Sequence, residues 1–456
     1  MEARIDDSPP VPTLPVHSGL RSSLPPQGES SAANRPSRAH IASLVLGPIG
    51  ALLFLEQILS AATDPHLGAD ILTFRHAAQQ LLQHSSPYPV GPQVNPFIFP
   101  PSALLFFLPL AFLSASVVVG AYLAIQSAAI LFAGAFSLRI FGVPWRSAAG
   151  AAVLFGSAFY VGLETNLAFG NVNGILVLAE ALFLYLTSRD RWDWAGVALG
   201  GSLALKPSLV LLLLVPLLWR QWRSFGISLG IPIGLSLVVL PFLPRSDVLL
   251  TQVLPYMLHG EAEVWPMFNA SIVGTAPLLH IGGPVTLAIR GAVAFVAIFA
   301  IVLRRRADID RRLQVVEVAG ILVLLTLLDS SFSWPTYGWL LLPLVVSVVS
   351  RESLLRTAPA WVAVYFFVSP TDSVTPFASG DYGVRHGRFA AGFLGLLLVM
   401  WFGALKPATA WSKERRKGAI GGLWASAARV LRPPPAYPVE AARPAATAES
   451  LPPNST

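Results

Sequence analysis

The sequence predicts an all-α, polytopic membrane protein of about 10–12 transmembrane helices. Three observations carry that prediction. Over 456 residues, 54% are hydrophobic and 12% charged, where a soluble domain carries about 25% charged residues. Apolar runs recur from residue 41 to residue 405, many near the roughly 20 residues that a hydrocarbon core of about 30 Å requires. Between the runs, arginines gather in short clusters, the pattern of cytoplasmic loops.

The same composition excludes other classes. With no cysteine there is no disulfide scaffold and no thiolate metal site. The net charge of +7 does not point to nucleic acid, because the basic residues sit in clusters beside apolar segments. Residues 1–40 and 412–456 are rich in Pro, Ser and Ala with mixed charge, and are expected to be disordered tails. Residues 41–411 form the membrane domain.

In order, the apolar runs are 41–62, 98–113, 116–138, 148–164, 171–187, 194–218, 225–243, 284–303, 315–333, 337–350, 358–369 and 388–405. Runs 98–113, 337–350 and 358–369 are too short for a full crossing. They read as half-helices packed inside the protein or as spans with displaced ends. Arg220 and Arg223, Arg304 to Arg312, Arg351 with Arg356, and the tail at 413–417 are assigned to the cytoplasm. Loops 63–97, 244–283, 329–337 and 370–387 then fall outside. Two arrangements fit residues 98–218. Either every run crosses singly, or 98–138 crosses once and 194–218 is a hairpin broken at Lys206-Pro207.

The first outer loop, 63–97, is the most informative segment. Ile71, Phe74, Ala78, Leu81 and Leu82 recur at helical spacing, with Arg75, His76, Gln79, Gln80, Gln83 and His84 opposite. This predicts a short amphipathic helix lying on the membrane surface. Asp70 stands at its start, as an N-cap or as a group with a function of its own. Pro87-Tyr88-Pro89 and Phe99-Pro100-Pro101 follow. Further on come Asn166-Leu-Ala-Phe-Gly-Asn171-Val-Asn173-Gly174, Ala195-Gly196, Leu203-Ala-Leu-Lys206-Pro207, Arg220-Gln-Trp-Arg223, Leu254-Pro-Tyr256 and Phe268-Asn269-Ala-Ser271-Ile-Val-Gly274.

In their order and spacing these segments resemble the polytopic glycosyltransferases of the C superfamily (GT-C type). Within it they resemble family 87, which includes actinobacterial mannosyl- and arabinofuranosyltransferases. The likeness covers roughly residues 45–345. Many mannosyltransferase-like members carry Ser-Trp followed by paired histidines late in the chain. Here the segment is Ser333-Trp334-Pro335-Thr336-Tyr337, without histidine. The resemblance is therefore closer to the arabinofuranosyltransferases of mycobacterial envelope synthesis.

That resemblance implies a polyprenyl-phosphate-linked sugar donor, a glycan or glycolipid acceptor, and a site on the extracytoplasmic side of the plasma membrane. A lipid phosphate leaves as a stabilised anion, so one carboxylate that deprotonates the acceptor suffices, unlike the paired carboxylates of a glycosidase. Asp70 is assigned that role. Arg75 and His76, within two turns of it, are placed at the leaving phosphate or on a solvated helix face. Lys206 interrupts an apolar run, where a cation costs roughly 2.5–3.5 kcal/mol. It is expected to meet a ligand, to pair with a membrane carboxylate such as Glu164, Glu180, Glu317 or Asp329, or to snorkel to an interface. Tyr88, Asn171, Asn173, Tyr256, Asn269 and Ser271 complete the substrate-binding candidates. Asn171 and Asn173 line the cavity or cap the helix that follows them. His259, Glu261, Glu263 and Trp265 share the second outer loop, where the two glutamates read as solvated. The sequence calls for no metal and no cofactor, and it lacks a phosphate-binding Gly-Lys-Ser/Thr loop and a dinucleotide fingerprint. The alternatives are a polyprenyl-phosphate-mannose-dependent mannosyltransferase and, from another class, a lipid-linked sugar flippase or transporter. A transporter is expected to show internal repeats, and none is evident.

Overall fold

The computed structural model describes residues 38–88, 96–160, 162–257, 269–368 and 382–415. The expected disordered tails lie outside these residues except at their inner ends. His259, Glu261, Glu263 and Trp265 lie outside them as well. Among the described residues the regular elements are helices, with no strand.

Long apolar helices form the frame. They are α1 (Arg38–Thr63), which packs along α5 (Ala148–Phe159), and α4 (Ala115–Ile140), which packs along α7 (Asn173–Ser188). The helix α10 (Trp222–Val239) lies along α8 (Trp192–Leu205), and the helices Gly283–Arg306 and Arg311–Asp329 pair with each other. Ser114 and Ser147 cap α4 and α5 by accepting from the amides of Val117 and Gly150, which satisfies helix-end donors that would otherwise lack partners. Leu52 and Leu59 on α1, Leu237 on α10, and Leu287 and Phe295 point outward, the arrangement of a protein whose solvent is lipid.

Five described helices have the length and apolar composition to cross a membrane, and a sixth crossing arises if α5 and α6 (Gly162–Phe169), bent by 70°, count as one. Ala103–Phe112, Asn173–Ser188, Pro207–Leu218, Pro335–Val349 and Ala358–Val368 are shorter apolar helices. The three runs read as short in the sequence are among these. Proline accounts for much of the fragmentation. Pro207 and Pro335 each open a 3-10 segment, because proline donates no backbone hydrogen bond and keeps the preceding residue out of the helical region.

Ion pairs decide between the two arrangements of residues 98–218. Arg223 pairs with Asp193 at 3.2 Å and Arg311 with Asp190 at 2.8 Å. The guanidinium of Arg305 lies 4.8 Å from the centre of the Trp219 ring. The start of α8 and the turn after Leu218 therefore share one end of the molecule with the Arg304–Arg312 cluster. Residues 192–218 leave that end and return to it, a hairpin whose far tip is Lys206-Pro207.

The helix α2 (Ala69–Leu82) matches the amphipathic segment read from the sequence. Its apolar face is covered by protein. Ile71, Phe74, Ala77 and Ala78 are buried against the segment 103–112, α4 and α6. Phe74, Phe97, Phe99 and Phe107 form a ring-on-ring cluster, with Phe74 and Phe107 stacked at 4.6 Å. Such pairs add about 0.5–1.5 kcal/mol each beyond simple burial. The helix is thus fastened to the bundle, and its first turn is a fixed platform.

Candidate active site

Two glycines with left-handed backbones fix the centre of the site. Gly68 (φ 81°) takes the N-cap position of α2, so Asp70 falls in the first turn and is not the cap. Its amide donates to the carbonyl of Ala168 at 2.6 Å, and a Cβ there would stand 2.6 Å from Val119. Gly170 (φ 70°) ends α6, and a Cβ there would stand 2.9 Å from Ile71. Only glycine adopts these conformations without strain in so little space. Together they bring Asn171 to Asp70, and the amide Nδ2 donates to Oδ2 of the carboxylate at 2.8 Å.

Asp70 and Asn171 line a cavity of about 360 Å³. Phe74, one helical turn after Asp70, shares its face, and His66 lies at the same wall. The α6 turn adds Thr165, Asn166 and Phe169. Lys206 enters from the hairpin tip, Tyr256 from the segment after α10, and Trp334, Thr336 and Tyr337 from the segment after Asp329.

Lys206 is held by aromatic groups. Pro207 forces it into an extended conformation (φ −155°, ψ 129°), which turns its side chain out of the helix line. Its ammonium donates to the Tyr337 hydroxyl at 2.8 Å, 4.6 Å from the centre of the Tyr337 ring and 5.4 Å from that of Phe99. Both rings offer the negative face that attracts a cation. Three of the carboxylates considered as its partners hold other groups. Glu164 accepts from Ser60, Glu317 binds Arg304, and Asp329 binds Arg290. Glu180 is buried on α7.

Four predicted residues therefore meet in one cavity: Asp70, Asn171, Lys206 and Tyr256. Two stand directly behind it. Asn173 is buried and donates to Thr336 Oγ1 at 3.1 Å. Tyr88 is buried and donates to the carbonyl of Phe99 at 3.1 Å. Burial pushes its phenol well above the ordinary range, so it stays a donor.

The remaining four lie apart from the cavity wall. Arg75 donates through Nε to the carbonyl of Leu113 at 2.9 Å, tying α2 to the turn before α4. His76 is exposed. Asn269 is buried and bonds to the backbone of residues 331 and 333, and Ser271 caps the helix Ile272–Leu278. The cavity residues outside the predicted set are chiefly Thr165, Asn166, Trp334, Thr336 and Tyr337. All five stood within or beside motifs already read in the sequence.

A polytopic all-α frame thus encloses a carboxylate and a lysine in one hollow. Glycosyltransferase family 87 matches residues 97–331. An alpha-(1->3)-arabinofuranosyltransferase of Mycobacterium tuberculosis (strain H37Rv) is 30% identical over 369 residues, spanning 78% of this chain and 82% of the relative. Proteins with the same description from Mycolicibacterium smegmatis and Corynebacterium glutamicum are 26% and 25% identical, over 73% and 83% of this chain and 78% and 92% of their own lengths. No solved structure matches the chain. The chain belongs to glycosyltransferase family 87 and is a multi-pass membrane glycosyltransferase.

Proposed function

We propose that this enzyme moves arabinofuranose from a polyprenyl-phosphate donor onto a cell-envelope glycan, with Asp70 as general base. The observation that carries the reading is a carboxylate and an ammonium facing one cavity from separate elements, each fixed in place. The acceptor hydroxyl loses its proton to Asp70 as its oxygen attacks the anomeric carbon. The bond from that carbon to the phosphate oxygen breaks, and the phosphate departs as an anion beside Lys206. An ammonium oriented before the reaction stabilises that developing charge without reorganising. Asn171 holds the carboxylate toward the cavity.

The active site faces the extracytoplasmic side of the plasma membrane in this proposal. The basic end of the molecule, with Arg220, Arg223 and Arg304 to Arg312, belongs to the cytoplasm by the charge rule for membrane loops. Lys206 sits at the other end of α8, 14 residues from the ion-paired end, which is about 21 Å of helix. The description of the relatives favours arabinofuranose over mannose. The test is purified protein in detergent, given polyprenyl-phosphate arabinofuranose and polyprenyl-phosphate mannose side by side with an oligoarabinofuranoside acceptor. The pentose donor is expected to give product and the mannose donor none. Product from mannose alone overturns the sugar assignment.

A further inference from the structure

Three chain segments meet beside the cavity, tied by the side chains of Asn269 and Ser331. Asn269 is 1% exposed. Its Oδ1 accepts from the amides of Ser271 and Ser333, both at 3.0 Å, and its Nδ2 donates to the carbonyl of Ser331 at 2.8 Å. The amide of Ala270 donates to the carbonyl of Ser333 at 2.7 Å. Ser331 in turn donates through Oγ to the carbonyl of Met257 at 3.0 Å. A Cβ on Gly274 would stand 2.4 Å from that of Asn269, so the clamp is closed on its far side as well. Two of the three segments leave the clamp into an aromatic residue that lines the cavity: Trp334 directly after Ser333, and Tyr256 directly before Met257. Phe332 braces the indole edge-on, at 5.5 Å and 75°.

Five hydrogen bonds over these few residues exceed what a surface turn needs. They anchor the backbone beside two rings at the wall of a hollow whose other lining residues include the carboxylate and the ammonium. The faces of an indole and a phenol carry negative charge density. The C–H bonds on one side of a sugar ring present the opposite sign, so such faces suit a sugar. Such contacts are short-ranged, so a ring whose backbone is anchored presents its face with less loss of freedom on binding.

We propose that Trp334 and Tyr256 form a stacking subsite for a sugar ring, and that Asn269 is the positioning residue that holds it. The inference rests on the reading of the cavity as a glycosyl-transfer site. The ring belongs either to the transferred sugar or to the acceptor glycan, and the chemistry of recognition is the same for both.

Equilibrium titrations test it on purified protein carrying Asp70→Asn, so that binding is read without turnover. The two probes are an oligoarabinofuranoside and polyprenyl-phosphate arabinofuranose. Trp334→Ala is expected to weaken one of the two by about tenfold and to leave the other within about twofold. Trp334→Phe recovers most of the loss. Asn269→Asp, which keeps the acceptor atom and loses the donor, weakens the same probe. Combined with Trp334→Ala it adds nothing further. The affected probe identifies the owner of the ring. Unchanged affinity for both probes in Trp334→Ala overturns the subsite. A loss in Asn269→Asp that adds in full to that of Trp334→Ala overturns the clamp. Turnover by the Asp70→Asn background is a separate result, which counts against the base and leaves these comparisons standing.

Discussion

Asn171 donates a 2.8 Å hydrogen bond to the carboxylate of Asp70 across a separation of 101 residues. A hydrogen bond to a charged group is worth about 1.5–3 kcal/mol. Without it the carboxylate can swing away, and a displacement of about 1 Å costs up to about a hundredfold. Asn171→Ala is therefore expected to lower kcat by roughly tenfold to a hundredfold, with little change in either Michaelis constant. Steady-state kinetics with varied donor and acceptor check this. Unchanged kcat would mean that the carboxylate needs no such restraint.

Lys206 gives the second prediction. Removing a preorganised donor at a developing negative charge costs about 10²–10³ in rate, so Lys206→Met should lose that much kcat. Lys206→Arg retains charge but not the Tyr337 geometry and falls between. Tyr337→Phe removes only the hydroxyl that accepts from Lys206 and should cost about tenfold or less. A rate ordering of Met above Arg would argue against a charge role.

The left-handed glycines give the third. Gly68→Ala must hold an alanine at φ 81° against Val119, a strain of about 1–2 kcal/mol before any clash. The expected result is a lower melting temperature in detergent together with loss of turnover, because the start of α2 carries Asp70. Gly170→Ala, packed on Ile71, should behave alike. Retained activity in both would show that the first turn of α2 moves freely.

At the opposite end, Arg304 and Glu317 form a buried ion pair, with side chains 3% and 0% exposed. Glu317 also accepts from the amide of Leu354 at 3.0 Å. Leaving one buried charge without its partner costs about 3–5 kcal/mol. Glu317→Ala should thus lower thermal stability sharply, while the folded fraction keeps its turnover per molecule. The paired replacement Arg304→Met with Glu317→Leu should be far milder. Thermal unfolding of the three variants decides it.

Much of this architecture is legible in the sequence, and the gaps have physical causes. The apolar runs and the Lys206-Pro207 break are local properties of composition and of proline, so they can be read directly. Asp70 and Asn171 are each visible as candidates, but no local rule pairs residues 101 positions apart. Arg75 and His76 are near Asp70 along the chain, yet at 3.6 residues per turn they lie about 140° and 240° around the helix from it. Phe74, one turn on, shares its face and its cavity. The segment around Asn269 and Ser271 is recognisable as a motif, whereas its hydrogen bonds to residues 331 and 333 depend on the tertiary fold.

The most direct measurement of the central claim is transfer by Asp70→Asn. The substitution keeps the size of the side chain and removes its basicity. General-base catalysis contributes about 10²–10⁴ in rate, so labelled product per enzyme should fall by that factor while donor binding and membrane insertion persist. Turnover at the rate of the unsubstituted enzyme would contradict the account.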